Sequence, residues 1–424
     1  MQNLRTVAAE TFGCRLNQSD TGLIFDRLQR SGFEIVKSNS PQIDLFVINS
    51  CAVTELAVKK SRQLSKKIKT KHPNCCIVFT GCSVEPDAKN LLKEANIDII
   101  LSDRKQIVSK VQEYFKEQKS AEFAQNNTLV FTENAKALFP FNSRAFLKIQ
   151  EGCNNYCSYC IVPYVRGREK SRDYNEIIEE FQQFILDGYK EIVLTGVNVN
   201  SYNHNKMNLA KLVAKLASLE GDFRIRLSST EPNLNNKEII EVISQNKKVC
   251  NYLHLSLQHG SDNILKQMNR KYTTAEFANY IEFAREKIPD LHIGTDIIVG
   301  FPGETEDDFE LMLKFVNKIK FATTHIFRYS PRKGTPAAEF ANQVPAITAK
   351  KRYDILKKIT EKHSAKFANS QIGKVLQVLI EKEDDVYSSG WSDNYLKVHT
   401  NLLTIKNTLV NLNIKSVDGS ICQS

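Results

Sequence analysis

Short apolar runs alternate with amphipathic stretches along residues 1 to about 135. TVAAETFG, IDLFVINS, CCIVFTG and NIDIILS have the length and β-branched content of strands. Between them, TGLIFDRLQRSGF and EPDAKNLLKEAN repeat apolar positions every three to four residues, and the second opens with a proline suited to a first helical turn. Strand and helix in alternation predict a parallel sheet with helices on its faces. EQKSAEFAQNNTLVFTENAKA follows neither period and predicts a linker.

From Phe146 the alternation resumes, with FLKIQ, EIVLTGV, FRIRLSS, YLHLSLQ, HIGTDIIVGF and TTHIFRYS as strands and NEIIEEFQQFILDGY and DDFELMLKFVNKIK as helices. Six such units occupy less chain than the about 250 residues of an eight-stranded barrel, so an open, partial (β/α)6 barrel is expected. The basic helical connector TAKKRYDILKKITEKHSAKFANS then leads, from Gly373, to QVLIE, YLKVH and NTLVNLNIKSV, which read as a small all-β barrel. The expected organisation is an α/β domain over 1–120, a linker over 121–143, the barrel with its connector helix over 144–368, and a β domain over 369–424.

A chain of 424 residues has room for these cores. No apolar run approaches the about 18 residues of a membrane helix, and MQNLRTVAAETFGC lacks the apolar core of a secretory signal. A cytoplasmic protein is expected. Thiols stay reduced there, so ten cysteines suggest metal ligation or burial before disulfides. The net charge of +10 hints at a polyanionic partner.

The stretch EGCNNYCSYC places Cys153, Cys157 and Cys160 at C-x3-C-x2-C, directly after the first barrel strand, at the end where barrel enzymes keep their active sites. Ten cysteines in 424 residues would give this spacing by chance roughly 0.006 times, so simple burial is a poor account. Structural zinc needs four ligands, and the next cysteine is Cys250. A four-iron cluster has four iron corners, and three thiolates leave one free for a small ligand. In this the segment resembles radical S-adenosylmethionine (SAM) enzymes, in which SAM chelates the open iron. The resemblance implies reductive SAM cleavage to a 5′-deoxyadenosyl radical. It also implies cofactor contacts for Tyr159, beside the adenine, and for Gly196 in LTGVN, near the SAM amino group. The plainer readings are that Tyr159 shields the cluster from water and that Gly196 is a turn residue.

Cys14, Cys51 and Cys82 form a second set. Each stands just past an expected strand, in TFGC, INSC and FTGC. Parallel strands end on one sheet edge, so three distant thiols can converge there, although three buried small side chains would give the same pattern. Cys75 and Cys76 open a strand and read as packing residues, and Cys250 and Cys422 fit no pattern.

With both triplets, nearly the whole chain resembles the methylthiotransferase family of radical SAM enzymes, through TFGCRLNQSD, INSCAVTELAVKKSR, FTGCSVEPD and EGCNNYCSYCIVPYVRGREKSR. The resemblance implies an auxiliary [4Fe-4S] cluster on Cys14, Cys51 and Cys82, a SAM-cleaving [4Fe-4S] cluster on Cys153, Cys157 and Cys160, and a C-terminal TRAM-type RNA-binding barrel. One SAM would methylate a sulfur and a second would generate the radical that removes hydrogen from adenine C2. No further catalytic side chain is implied beyond the cluster ligands. RLSSTEP, MNRKYT and FRYSPRKGTPA are most similar to the branch that converts N6-threonylcarbamoyladenosine, 3′ of the tRNA anticodon, to its 2-methylthio form. The implied partners are a tRNA anticodon stem-loop and a low-potential electron donor. Ser256 stands where relatives often have proline, and Trp391 where they have a polar or basic residue.

Charge placement adds to the RNA reading: VKKSRQLSKKIKTKH follows Cys51 with seven basic residues and no acid. Lys59, Lys60 and Arg62 there, with Arg166, Arg168 and Arg172 after the second triplet, are the candidate RNA contacts. A solvated helix face is the alternative for the first group. Two other functions stay open: methylthiolation of tRNA isopentenyladenosine or a ribosomal protein, and RNA binding by a non-catalytic iron-sulfur protein.

Overall fold

Burial on both faces is what continuous apolar strands require, and the computed structural model, which describes residues 4–91, 96–117, 123–124, 136–232, 237–383 and 386–424, provides it. Contacts divide the chain into two units, the first holding 1–141, 145–148 and 161–168, the second 142–144, 149–160 and 169–424.

In the first unit, β1 (Arg5–Thr11), β2 (Phe33–Ile35), β3 (Leu45–Ser50), β4 (Cys76–Gly81), β5 (Ile99–Leu101) and β6 (Phe123–Ala124) form one sheet in the order β2-β1-β3-β4-β5-β6. All neighbours are parallel. The helices are α1 (Arg15–Arg30), α2 (Glu55–Lys71), α3 (Val84–Leu91) and α4 (Ile107–Glu117). Cys76 packs into one buried cluster with Val47 and Val78, Cys75 into another with Ile77 and Phe79, so both serve as packing residues.

Two details depart from expectation. Helix α1 begins at Arg15, well before the apolar stretch at Thr21, because its first turns bury polar Asn17, Ser19 and Asp20. It ends before Gly32, whose φ of +89° breaks the helix, and Phe33 joins β2 instead. Of the expected linker, 121–122 and 125–135 lie outside the described residues, while Phe123 and Ala124 pair with Ile100 and Leu101.

In the second unit, Glu191–Thr195 pairs in parallel with Arg224–Leu227, and Tyr252–His254, His292–Val299 and Thr323–Arg328 form a second parallel group. Parallel bridges from Ile225 to Val249 and from Thr230 to Leu255 join the groups. After the strand Arg144–Lys148, the amide of Ile149 donates to Thr195 O at 2.9 Å. The result is the expected partial barrel, its helices fixed by caps such as the reciprocal Thr273–Glu276 and Thr305–Asp308 pairs.

Helix Ala346–Asn369 leads to a six-stranded C-terminal sheet whose core holds Leu376, Val378, Ile380, Val398, Leu412 and Cys422. Strands Ser388–Ser392 and Ile421–Gln423 add to the three expected runs. Arginines of the barrel meet this sheet. Arg224 donates to the carbonyls of Gln377 and Trp391, and Arg226 to those of Ser392 and Asp393, all at 2.7–2.9 Å. Buried Glu191 receives both guanidiniums at 2.6–2.9 Å. Tyr395 stacks on Trp391 with ring centres 4.8 Å apart and leans on Tyr252 at 4.6 Å. The aromatic tip of the tail therefore packs internally. This stack fixes the place of Trp391.

Candidate cofactor sites

The register of the first sheet accounts for its thiol cluster. Thr11 lies opposite Asn49, and Ser50 opposite Gly81, so the carboxyl ends of β1, β3 and β4 stand side by side. The strand order reverses at β1 and β3, where open α/β sheets bind ligands. Cys14, Cys51 and Cys82 follow these three ends, and a Cβ added to Gly13 would fall 2.7 Å from the Cys51 Cβ and Sγ.

Buried Asn17 ties the edge together by donating to Phe12 O at 2.8 Å and Ser50 O at 2.9 Å. Arg166, 4% exposed, donates from Nε to Cys82 Sγ at 3.0 Å and from its terminal nitrogen to Asn17 Oδ1 and Asp20 Oδ2. The sequence placed Arg166 among phosphate contacts. In the structure its guanidinium reaches a thiol, an amide and a carboxylate. Burial alone would raise the Asp20 carboxyl, but Arg104, Lys148 and Arg166 outweigh it and hold it well below the usual range. Arg166 thus brings positive charge to the Cys82 sulfur. Burial pushes the Cys51 thiol up to about 12, so its thiolate needs a bound cation to persist at neutral pH.

The second triplet lies on a loop held by the barrel. Asn269 donates to the carbonyls of Asn155 and Tyr156 at 3.1 and 3.0 Å, Ser158 N–H donates to Met268 O at 3.1 Å, and its hydroxyl to Gln267 O at 2.8 Å. Arg270 donates to Cys157 Sγ at 3.3 Å, pairs with Glu231 at 2.6 Å and reaches Ser256 O at 2.7 Å. Met268, Asn269 and Arg270, which hold this loop, belong to the MNRKYT motif, whose sequence alone gave no sign of that contact. Cys157 is buried and Cys153 and Cys160 are half-buried. Burial pushes the Cys153 thiol up to about 11.

Tyr159 packs against Ile264, Met268, Ile298, Phe301 and Ala337, an apolar setting that suits a shield. At Gly196 a Cβ would come within 2.8 Å of Gln150 Oε1, and that oxygen accepts from Asn198 N–H at 2.9 Å, so Gly196 permits a close approach beside the Cys153 loop.

Among the basic candidates, Lys59, Lys60 and Arg168 are exposed and Arg62 is half-buried. Arg172 is bound by Glu176 at 3.2 Å and by Glu180, which ties it to the helix Tyr174–Leu186. No thiol of either triplet falls, among the described residues, in a group tight enough for one shared ion.

A model for the radical SAM superfamily matches residues 147–316, and one for uncharacterized protein family UPF0004 matches residues 6–102. The threonylcarbamoyladenosine tRNA methylthiotransferase MtaB of Bacillus subtilis (strain 168) is 36% identical over 407 residues, 93% of this chain and 90% of its own. The chain belongs to the radical SAM methylthiotransferase family. The MtaB of Thermotoga maritima is 37% identical, across 89% of this methylthiotransferase and 87% of its own length. A tRNA-2-methylthio-N(6)-dimethylallyladenosine synthase of Clostridium botulinum (strain Okra / Type B1) is also 37% identical, across 88% and 85%. Among solved structures, the radical SAM methyltransferase TsrM of Kitasatospora setae, with cobalamin and a [4Fe-4S] cluster bound, superposes with a TM-score of 0.58 at 13% identity, over 80% of this chain and 77% of its own. That likeness concerns the fold alone. The methylthiotransferase is a transferase whose family cofactors are SAM and two [4Fe-4S] clusters, and two separate thiol triplets fit two clusters.

Proposed function

We propose that this methylthiotransferase acts on tRNA, converting N6-threonylcarbamoyladenosine 3′ of the anticodon to its 2-methylthio derivative. The reading rests chiefly on identity of 35–37% across about nine-tenths of the chain to relatives named for that substrate. Cys14, Cys51 and Cys82 would hold the auxiliary cluster, and Cys153, Cys157 and Cys160 the cluster that engages SAM. When bound, these groups supply radical removal of hydrogen from an unactivated C–H bond and a sulfur for transfer, chemistry that no side chain here could perform.

The chain's own residues orient and protect. Arg166 and Arg270 direct guanidinium donors at Cys82 and Cys157. Tyr159 excludes water beside the second site, and Gly196 with Gln150 would shape its SAM-facing wall. The domain limits of 1–120, 144–368 and 369–424 assign the auxiliary site, the radical site and RNA binding in turn. No helix among the described residues is long and apolar enough to cross a membrane, in keeping with a cytoplasmic enzyme reduced by a low-potential donor.

Nucleoside mass analysis of tRNA from cells with and without the gene tests the substrate. The 2-methylthio form of N6-threonylcarbamoyladenosine should vanish while its precursor accumulates. Loss of the 2-methylthio form of isopentenyladenosine instead would overturn the assignment. Lys59, Lys60 and Arg168 would be phosphate contacts. Exchange of Lys59 and Lys60 for alanine is expected to weaken tRNA binding and to lower the slope of log affinity against log salt by about 1 to 2, measured by filter binding.

A further inference from the structure

Three side chains outside both thiol triplets converge inside the barrel. His254 ends the strand Tyr252–His254, Asp296 lies within His292–Val299, and His325 within Thr323–Arg328. These are neighbouring parallel strands. Asp296 is the register partner of His325, and His254 pairs with Gly294, which shares a sheet face with Asp296. The sequence spaces the three far apart, and only the sheet brings them together.

Their polar atoms meet at one point. His254 Nε2 stands 3.1 Å from Asp296 Oδ1, and His325 Nδ1 stands 3.5 Å from the same oxygen. All three atoms lie within 4.8 Å of one another. Ligands held about 2.0–2.2 Å from one tetrahedral ion stand about 3.3–3.6 Å apart, so the His325 distance matches that edge and the His254 distance falls just short of it. Two imidazoles on one ion put their ring centres about 5 Å apart by the same geometry, and these rings are 5.2 Å apart.

His254 is 2% exposed, and its Nε2 faces the Asp296 carboxylate as a close contact with no other partner among the described residues. The outer contacts have the pattern that orients metal ligands. His254 Nδ1 faces Tyr252 Oη at 3.2 Å, which leaves Nε2 facing inward. Asp296 Oδ2 accepts from the Ser256 hydroxyl at 2.9 Å, leaving Oδ1 to the histidines. Ser256 also donates its amide to Thr230 O at 3.2 Å, a bond that proline could not make. Gly294 clears space for the ring, since a Cβ there would lie 2.7 Å from His254 Nδ1.

We propose that His254, Asp296 and His325 form a binding site for a divalent transition-metal cation, with the remaining coordination positions open to water or another oxygen donor. Two imidazoles and a carboxylate suit Fe2+, Mn2+ or Zn2+ and differ in kind from the thiolate sets that suit iron-sulfur clusters. The site does not depend on the methylthiotransferase substrate.

The test uses the full-length protein with its clusters reconstituted and oxidised to the EPR-silent state, titrated with Mn2+, an ion with little affinity for thiolates. Loss of free-Mn2+ signal should report about one ion bound per chain. His325 is half-exposed, so His325→Ala spares the fold, and it should weaken Mn2+ binding by at least about tenfold with iron and sulfide unchanged. Ser256→Ala should weaken binding to a smaller degree. Absence of saturable Mn2+ binding, or equal binding in His325→Ala, would overturn the proposal and leave a His-Asp-His contact of structural value only.

Discussion

Glu191→Ala is expected to destabilise the second unit by on the order of 3–5 kcal/mol, the usual cost of removing one partner from a buried charge cluster. Glu191 is fully buried, as are Arg224 and Arg226, and Arg144 approaches it at 3.5 Å. Alanine would leave these guanidiniums without their shared anion while Arg224 and Arg226 still hold four carbonyls of the C-terminal sheet. Urea unfolding should show the loss, and limited proteolysis should cut Val375–Glu383 earlier than in the parent. Glu191→Gln, which keeps the shape without the charge, should lie between the two. Unchanged midpoints in both variants would mean that the carbonyl contacts alone hold the sheet.

The same cluster has a signed pH dependence. Burial would raise the Glu191 carboxyl, but Arg226, Arg224 and Arg144 outweigh burial and hold it well below the usual carboxylate range. A lowered folded value means that the contribution is complete above about 4.5, the unfolded value, and declines as pH falls toward the folded one. The parent should therefore lose stability below pH 4.5 more steeply than Glu191→Gln.

The strands around the cysteines could be read from sequence because parallel strands, buried on both faces, appear as unbroken apolar runs such as LFVINS and CIVFTG. Their ends then placed Cys14, Cys51 and Cys82 on one edge. The start of α1 was hidden for the opposite reason: Asn17 and Asp20 are buried by virtue of hydrogen bonds and ion pairs, which leave no apolar periodicity. Arg166 follows the second triplet in sequence but serves Cys82, and nothing in its spacing distinguishes an arginine bound to sulfur from one open to phosphate. The group of His254, Asp296 and His325 depends on register between strands, and Arg270 meets Cys157 from a distant loop; local sequence encodes neither.

Gly13→Ala is expected to strip the auxiliary site of iron while sparing the second. Gly13 has a φ of +96°, a region costly for any residue with a Cβ, and the added methyl would press within 2.7 Å of both Cβ and Sγ of Cys51. Cys51 follows β3 directly, so its backbone is held by the sheet and the added methyl bears on the thiol itself. After anaerobic reconstitution, iron should fall from about eight to about four per chain, as in the variant with Cys14, Cys51 and Cys82 all changed to alanine. Gly32→Ala supplies the comparison. Its φ of +89° carries a similar backbone cost of about 1–3 kcal/mol, but nothing lies within 4 Å of the added Cβ. Strain alone would lower the melting temperature of both variants and leave their iron equal, whereas displacement of a cluster thiol would remove iron only from Gly13→Ala. Equal iron in the two would mean that the edge formed by β1, β3 and β4 is packing, and the sulfur to be transferred would have to be held elsewhere.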